Sequence, residues 1–157
     1  NGDGITELPR AVLMAGYKDT SSSDAVYMLD WYAYGIGKVP TKVATTYQNI
    51  SDAWSLLIDQ KWHDRITAIK ANDGGLSYVE FFEYRKDKMS IPLFNIYCAT
   101  GSNREYYAER TDLIQLGQTT QAIYFAKLTN EGEQSELALT GDEIKARFSL
   151  VNQAWNN

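Results

Sequence analysis

The stretch that decides the fold is Arg65-Ile66-Thr67-Ala68-Ile69-Lys70-Ala71-Asn72-Asp73-Gly74-Gly75-Leu76-Ser77-Tyr78-Val79-Glu80-Phe81-Phe82-Glu83-Tyr84. Its centre, Asn72-Asp73-Gly74-Gly75, supplies the residue types that accept the positive backbone angles of a tight hairpin turn. Beyond the turn, Tyr78, Glu80, Phe82 and Tyr84 alternate with Val79, Phe81 and Glu83, the period of two of an extended strand. Before it, residues 65–71 carry the β-branched side chains of a partner strand. The stretch reads as an antiparallel hairpin.

Outward from this hairpin the pattern repeats. Residues 92–99 read as an interior strand with Pro92 at the tolerated first position. Upstream, residues 41–47 and 53–58 read as strands separated by a turn at 49–52. Gln60-Lys61-Trp62-His63-Asp64 makes a short turn or helical loop before the hairpin. Residues 11–17 and 25–34 form two earlier strands around a Ser/Asp-rich turn. Both sides of the second are largely apolar, so a central position is expected. Downstream, Ser102 or Asn103 caps a helix over 104–110. Residues 113–116 and 121–128 are two further strands around Gly117, and 129–135 is an acidic loop. The chain closes on Thr140-Gly141-Asp142-Glu143, a capping box, followed by Ile144, Phe148, Val151 and Trp155 at helical spacing. The fold class expected is α+β: an antiparallel β-sheet with a short middle helix and a C-terminal amphipathic helix.

Composition narrows the function classes. The 157 residues carry 44% hydrophobic and 22% charged side chains, which suits a soluble chain with a real core. A net charge of -5 leaves no electrostatic footprint for nucleic acid or an anionic membrane. No apolar run reaches the length of a membrane span, so direct insertion is not expected. The single cysteine, Cys98, excludes an internal disulfide and a cysteine-based metal site, and its apolar neighbours Ile96 and Tyr97 predict a buried, inert thiol. Eleven tyrosines and four tryptophans are a high aromatic content, useful for sheet packing or for stacking on sugars and peptides.

The N-terminal stretch Asn1-Gly2-Asp3-Gly4-Ile5-Thr6-Glu7-Leu8-Pro9, running into Ala11-Val12-Leu13-Met14-Ala15, resembles the D-x-N-G-D-G-x-x-E core of FG-GAP/VCBS-type repeats. Such repeats are blades of extracellular β-propellers in bacterial secreted and surface proteins, and often hold Ca²⁺ in this loop. The resemblance implies Asn1, Asp3 and Glu7 as oxygen ligands, because alternating acids, amides and glycines let oxygens face inward. Here the loop lacks its leading Asp, so the chain is expected to be a fragment. Calcium belongs to the intact parent protein, and no other cofactor is expected. The remainder resembles uncharacterised domains of Gram-positive secreted lipoproteins, through Ala53-Trp54-Ser55-Leu56-Leu57-Ile58, Lys61-Trp62 and Ile96-Tyr97 ahead of Thr100-Gly101. Together the resemblances imply an extracellular, cell-envelope setting. They imply a propeller-blade-like N-terminal hairpin over 1–37 and an α+β domain over 38–157, with a seam near Gly35–Pro40.

Candidate chemistry is sparse. His63, the only histidine, neighbours Asp64, but adjacent residues rarely orient each other as catalytic partners do. No G-x-S-x-G elbow is present. Glu80 and Glu83 fall on opposite faces of one strand, wrong for paired glycosidase carboxylates. Exposed aromatics are the better prospect, and Trp31, Tyr32, Tyr34, Trp54 and Trp62 are the candidate ligand-binding residues. The expectation is a non-catalytic accessory or binding domain with protein or cell-wall glycan as partner. The alternatives are a small hydrolase joining His63 to a distant acid, and a purely structural spacer. A pocket holding His63 with a carboxylate in reach would favour the enzyme, and exposed ring faces the binding module.

Overall fold

The computed structural model describes residues 6–18, 20–21, 24–37, 39–73, 76–86, 89–102 and 104–151, without the Asp73 side chain. Asn1, Asp3, the Gly74-Gly75 hairpin tip, Asn103 and Trp155 lie outside them. The strands are β1 (Thr6–Leu13), β2 (Tyr27–Tyr34), β3 (Thr41–Asn49), β4 (Trp54–Leu57), β5 (Ile66–Asp73), β6 (Leu76–Glu83), β7 (Ile91–Thr100), β8 (Ile114–Gln118), β9 (Ala122–Leu128) and β10 (Phe148–Leu150). The helices are α1 (Arg104–Ala108) and α2 (Gly141–Arg147).

The ten strands form two antiparallel sheets of five, ordered β1-β2-β3-β4-β10 and β5-β6-β7-β9-β8. This corrects the α+β expectation: the chain is a β-rich fold in which two sheets pack on each other. The helices are too short to form a layer, at five and seven residues. The C-terminal helix shows why. Its capping box forms, with Thr140 Oγ1 accepting from Glu143 N–H and the Glu143 carboxylate accepting from Thr140 N–H. Yet at Phe148 the backbone turns extended and β10 pairs with β4. Phe148 then sits between Trp54 and Tyr124, with ring centroids 5.9 and 5.6 Å away. Burying that ring between the sheets outweighs continuing a helix that only Ile144 anchors in the core.

One core fills the space between the sheets. It takes Met28, Tyr47, Trp54 and Leu56 from the first sheet and Ile66, Val79, Phe81, Phe94 and Ile96 from the second. Phe81 stacks on Phe94 at 4.9 Å and meets Tyr47 edge-on at 5.3 Å, so aromatic contacts bridge the layers. The chain crosses from one sheet to the other through a 3-10 turn, Gln60–Trp62. Trp62 in that turn is fully buried and donates its indole N–H to Leu137 C=O at 3.0 Å. A second 3-10 turn, Gly132–Gln134, presses on β7: a Cβ on Gly132 would lie 2.6 Å from Leu93 C=O. Only glycine fits there.

The sheets also meet at their edges. Ala15 N–H donates to Ile66 C=O where β1 ends beside β5. At the opposite edge, Gly117 of β8 lies against Phe148 and Leu150 of β10. The β3–β4 turn is closed by Asn49 and tied across the layers by Ser77, which both donate to the Asp52 carboxylate at 2.8 Å. The seam expected at 35–40 is the connection between β2 and β3, which pair with each other.

Beyond the core, the first sheet projects. Leu8 to Ala11 of β1 and Thr41 to Val43 of β3 are all exposed, and Trp31 to Tyr34 of β2 include no buried residue. This overhang shelters the cleft described next.

Candidate functional site

The site starts from one acid in an apolar strand. On β2, Met28 and Asp30 share the face turned to the core, as residues two apart must. Asp30 is only 5% exposed, so its charge needs partners. Thr45 of β3 faces it and donates its hydroxyl to Asp30 Oδ1 at 2.6 Å. The second partner depends on an irregularity. In a regular strand Lys42 would point away from the side that carries Thr45. The β2–β3 register shifts between Trp31 and Tyr32, so Trp31 pairs with Ala44 and Tyr32 with Lys42. The extra residue, Val43, is a bulge that turns Lys42 inward. Its Nζ lies 2.7 Å from Asp30 Oδ1. Burial alone would raise the Asp30 pKa, but hydrogen bonds from Lys42 and Thr45 and the Lys42 charge hold it below the usual carboxylate range.

The facing wall comes from the crossover to the second sheet. Asp59 caps the 3-10 turn by accepting from Lys61 N–H at 3.0 Å and also accepts from Arg147 Nη2 at 2.8 Å. The backbone N–H of Lys61, with the Arg147 and Lys61 charges, holds the Asp59 carboxyl below its ordinary value despite its burial. His63 follows, its ring Nδ1 3.2 Å from the Asp64 carboxylate. Asp64 adopts a left-handed backbone, φ 59°, which Asp tolerates better than most residues. His63 shares the cleft lining with Lys42 and Thr45, the two partners of Asp30.

Between these walls lies a cleft of about 600 Å³ lined by Lys42, Val43, Ala44, Thr45, Ile58, Asp59, Gln60 and His63. It combines an aliphatic strip with hydrogen-bonding groups whose positions are fixed by ion pairs. A pocket of that make-up orients a polar ligand.

The structure separates the five expected aromatic residues. Tyr32 and Tyr34 follow Asp30 at two-residue steps, so they share its side of the overhang, and Tyr34 is exposed. Trp31 points to the opposite side and donates its indole N–H to Thr46 Oγ1 at 2.9 Å. Trp54 and Trp62 are 1% and 0% exposed. Trp54 packs between Tyr47 and Phe148, and Trp62 packs on Phe94, so neither offers a ring face to solvent. Of the expected calcium ligands, Glu7 is a half-buried residue of β1, while Asn1 and Asp3 lie outside the described residues. Among the described residues, no group of three or more His, Cys, Asp or Glu side chains could hold a metal ion, and no helix is long and apolar enough to cross a membrane. Cys98 is buried, and that burial pushes its thiol up to about 11, which keeps it protonated and unreactive.

Asp30, Lys42, Thr45, Asp59 and Gln60 were not singled out by sequence reasoning. Asp30 carried a usable signal, being the only acid in the apolar run 25–34. Lys42 carried none, because its inward direction depends on the bulge. Comparison with family models, with curated proteins and with solved structures returned no match.

Proposed function

We propose that this chain is a non-catalytic binding domain that seats a cell-wall glycan in the cleft beneath β2 and β3. The observation that carries this reading is the fixed polar frame of the cleft. Lys42 and Thr45 are locked on Asp30, and Asp59 is locked on Arg147, beside the aliphatic side chains of Val43 and Ile58. Such a frame offers donors and acceptors to hydroxyl and amide groups without reorganising when the ligand arrives. Tyr32 and Tyr34 on the same side of the overhang extend it with rings suited to sugar C–H faces. The resemblance of residues 1–9 to a Ca²⁺-binding repeat, with Asn1, Asp3 and Glu7 as its ligands, supports an extracellular setting. The separate resemblance through Ala53–Ile58, Lys61-Trp62 and Ile96-Tyr97 supports a secreted lipoprotein of the cell envelope.

A small hydrolase is the second reading, favoured by one observation: His63 lines the cleft. The surrounding groups argue against it. The carboxylate bonded to His63 belongs to its neighbour Asp64, whose side chain is 83% exposed. The Thr45 hydroxyl is committed to Asp30, and a carboxylate with a lowered pKa is a weak general base.

The test is co-sedimentation with insoluble peptidoglycan, followed by an assay for new reducing ends. Wild-type protein is expected in the pellet, with Asp30→Ala and His63→Ala retained less and no reducing ends released. Equal retention of all three proteins would remove the cleft from the reading, and no retention would remove the glycan. Reducing ends that disappear in His63→Ala would establish the hydrolase instead.

A further inference from the structure

A second concavity lies on the outer face of the second sheet, away from the core. Register places Tyr78 opposite Tyr97 and Tyr97 opposite Phe125, a row of rings across β6, β7 and β9. Tyr78 and Tyr97 form a ring pair with centroids 5.2 Å apart. The short helix α1 lies over one end of this row, where Tyr107 and Leu113 join Ala99, Ile123 and Phe125 in a small separate apolar cluster. Between helix and sheet runs a groove of about 370 Å³ lined by Leu76, Tyr97, Tyr107, Leu113, Phe125, Arg110 and Lys127.

Charge distinguishes this groove from a simple packing gap. Its wall carries two cations, Arg110 and Lys127. Both depend on one acid: Asp112 accepts from Arg110 at 2.6 and 2.9 Å, and lies 3.4 Å from Lys127 Nζ. Asp112 itself does not line the groove. The three groups therefore leave one positive charge in excess beside aromatic and aliphatic surface, on a chain whose net charge is -5. An apolar floor with two cations at its wall, and their shared acid outside the lining, complements a ligand with an apolar body and a single anionic head.

We propose that this groove is a second ligand site, independent of the cleft, which takes a small amphiphilic anion. The apolar body lies on Leu76, Tyr97 and Tyr107, which are only half-buried, and a carboxylate or sulfonate group lies against Arg110 and Lys127. The proposal does not depend on the glycan reading, because the two sites occupy different sheets.

The test uses the fluorescent probe 8-anilinonaphthalene-1-sulfonate with the intact chain, and decanoate and decylammonium as competitors. The probe is expected to brighten with saturable binding, and decanoate but not decylammonium is expected to displace it. The double variant Arg110→Gln/Lys127→Gln, which changes only exposed side chains, is expected to bind the probe about tenfold more weakly, the effect of losing one charge-assisted contact. His63→Ala, a change confined to the cleft, is expected to bind it as wild type does. Equal probe affinity in the double variant would overturn the proposal. So would equal competition by decylammonium, or the absence of saturable fluorescence.

Discussion

The packed body between the sheets and the overhang of β1, β2 and β3 use the same strand chemistry for opposite ends. In the body, alternate residues such as Val79, Phe81 and Glu83 are buried, and rings from both sheets touch. In the overhang none of residues 31–34 is buried, and Leu8, Tyr34 and Val43 stay exposed. A strand with no opposing layer gains little from apolar burial, so its side chains are free to be chosen for what they meet in solvent. The cleft lies where the two regimes join. There the buried acid Asp30 is held by exposed Lys42 and buried Thr45, at the last point where the core still shields the carboxylate.

Substitutions that sharpen this contrast differ by an order of magnitude in stability. Trp62→Ala removes a fully buried ring and leaves Leu137 C=O without its indole donor, so a loss of about 3–5 kcal/mol is expected in urea unfolding. Gly132→Ala is next. A methyl group placed 2.6 Å from Leu93 C=O forces the 3-10 turn off β7 and should cost about 1–3 kcal/mol, measured the same way. Trp31→Phe in the overhang deletes only the bond to Thr46 and should cost about 1 kcal/mol. Tyr34→Ala, at the exposed end of β2, should change stability by less than about 0.5 kcal/mol. A large loss at Tyr34, or none at Trp62, would erase the distinction between body and overhang.

Acid separates the cleft from its surroundings in another way. Asp30 has a folded-state pKa below its unfolded value, where burial is outweighed by Lys42 and Thr45. Glu83 is likewise lowered, first by the Ser135 hydroxyl and then, against burial, by Arg85. For a depressed carboxyl, the stabilisation is fully present above the unfolded pKa, about 4, and is lost as pH falls through the folded value. Unfolding midpoints should therefore be level near neutrality and drop below about pH 4. Asp30→Asn, which cannot ionise, should show a shallower drop than wild type over that range. An equally steep drop would mean that Lys42 and Thr45 do not favour the ionised form of Asp30.

Most strands were legible because strand signals are local. The Asn72-Asp73-Gly74-Gly75 turn and the alternation after it place β5 and β6 within a residue or two of their observed ends. The capping box at Thr140 was legible for the same reason. The arrangement of strands was not. Whether ten strands form one sheet or two depends on contacts such as Tyr47 with Phe81, between residues far apart in the chain. The helical spacing of Ile144, Phe148 and Val151 misled because Phe148 is also spaced to alternate with Leu150 in β10. Two periods fit the same residues, and the core contact with Trp54 decides between them. Trp54 and Trp62 were equally ambiguous, since a ring that stacks on ligand and a ring that fills a core are the same residue in sequence. His63 stands out in the sequence for its chemistry, but its place in one cleft lining with Lys42 and Thr45 comes from the crossover between sheets.

The most direct test of the cleft as the ligand seat is a backbone amide NMR titration of the intact chain with soluble peptidoglycan fragments. Shifts concentrated at residues 30–34, 42–45 and 58–63, with Phe81, Phe94 and Phe125 unmoved, are the expected result. Saturating shifts confined to another surface, or none at millimolar fragment, would contradict it.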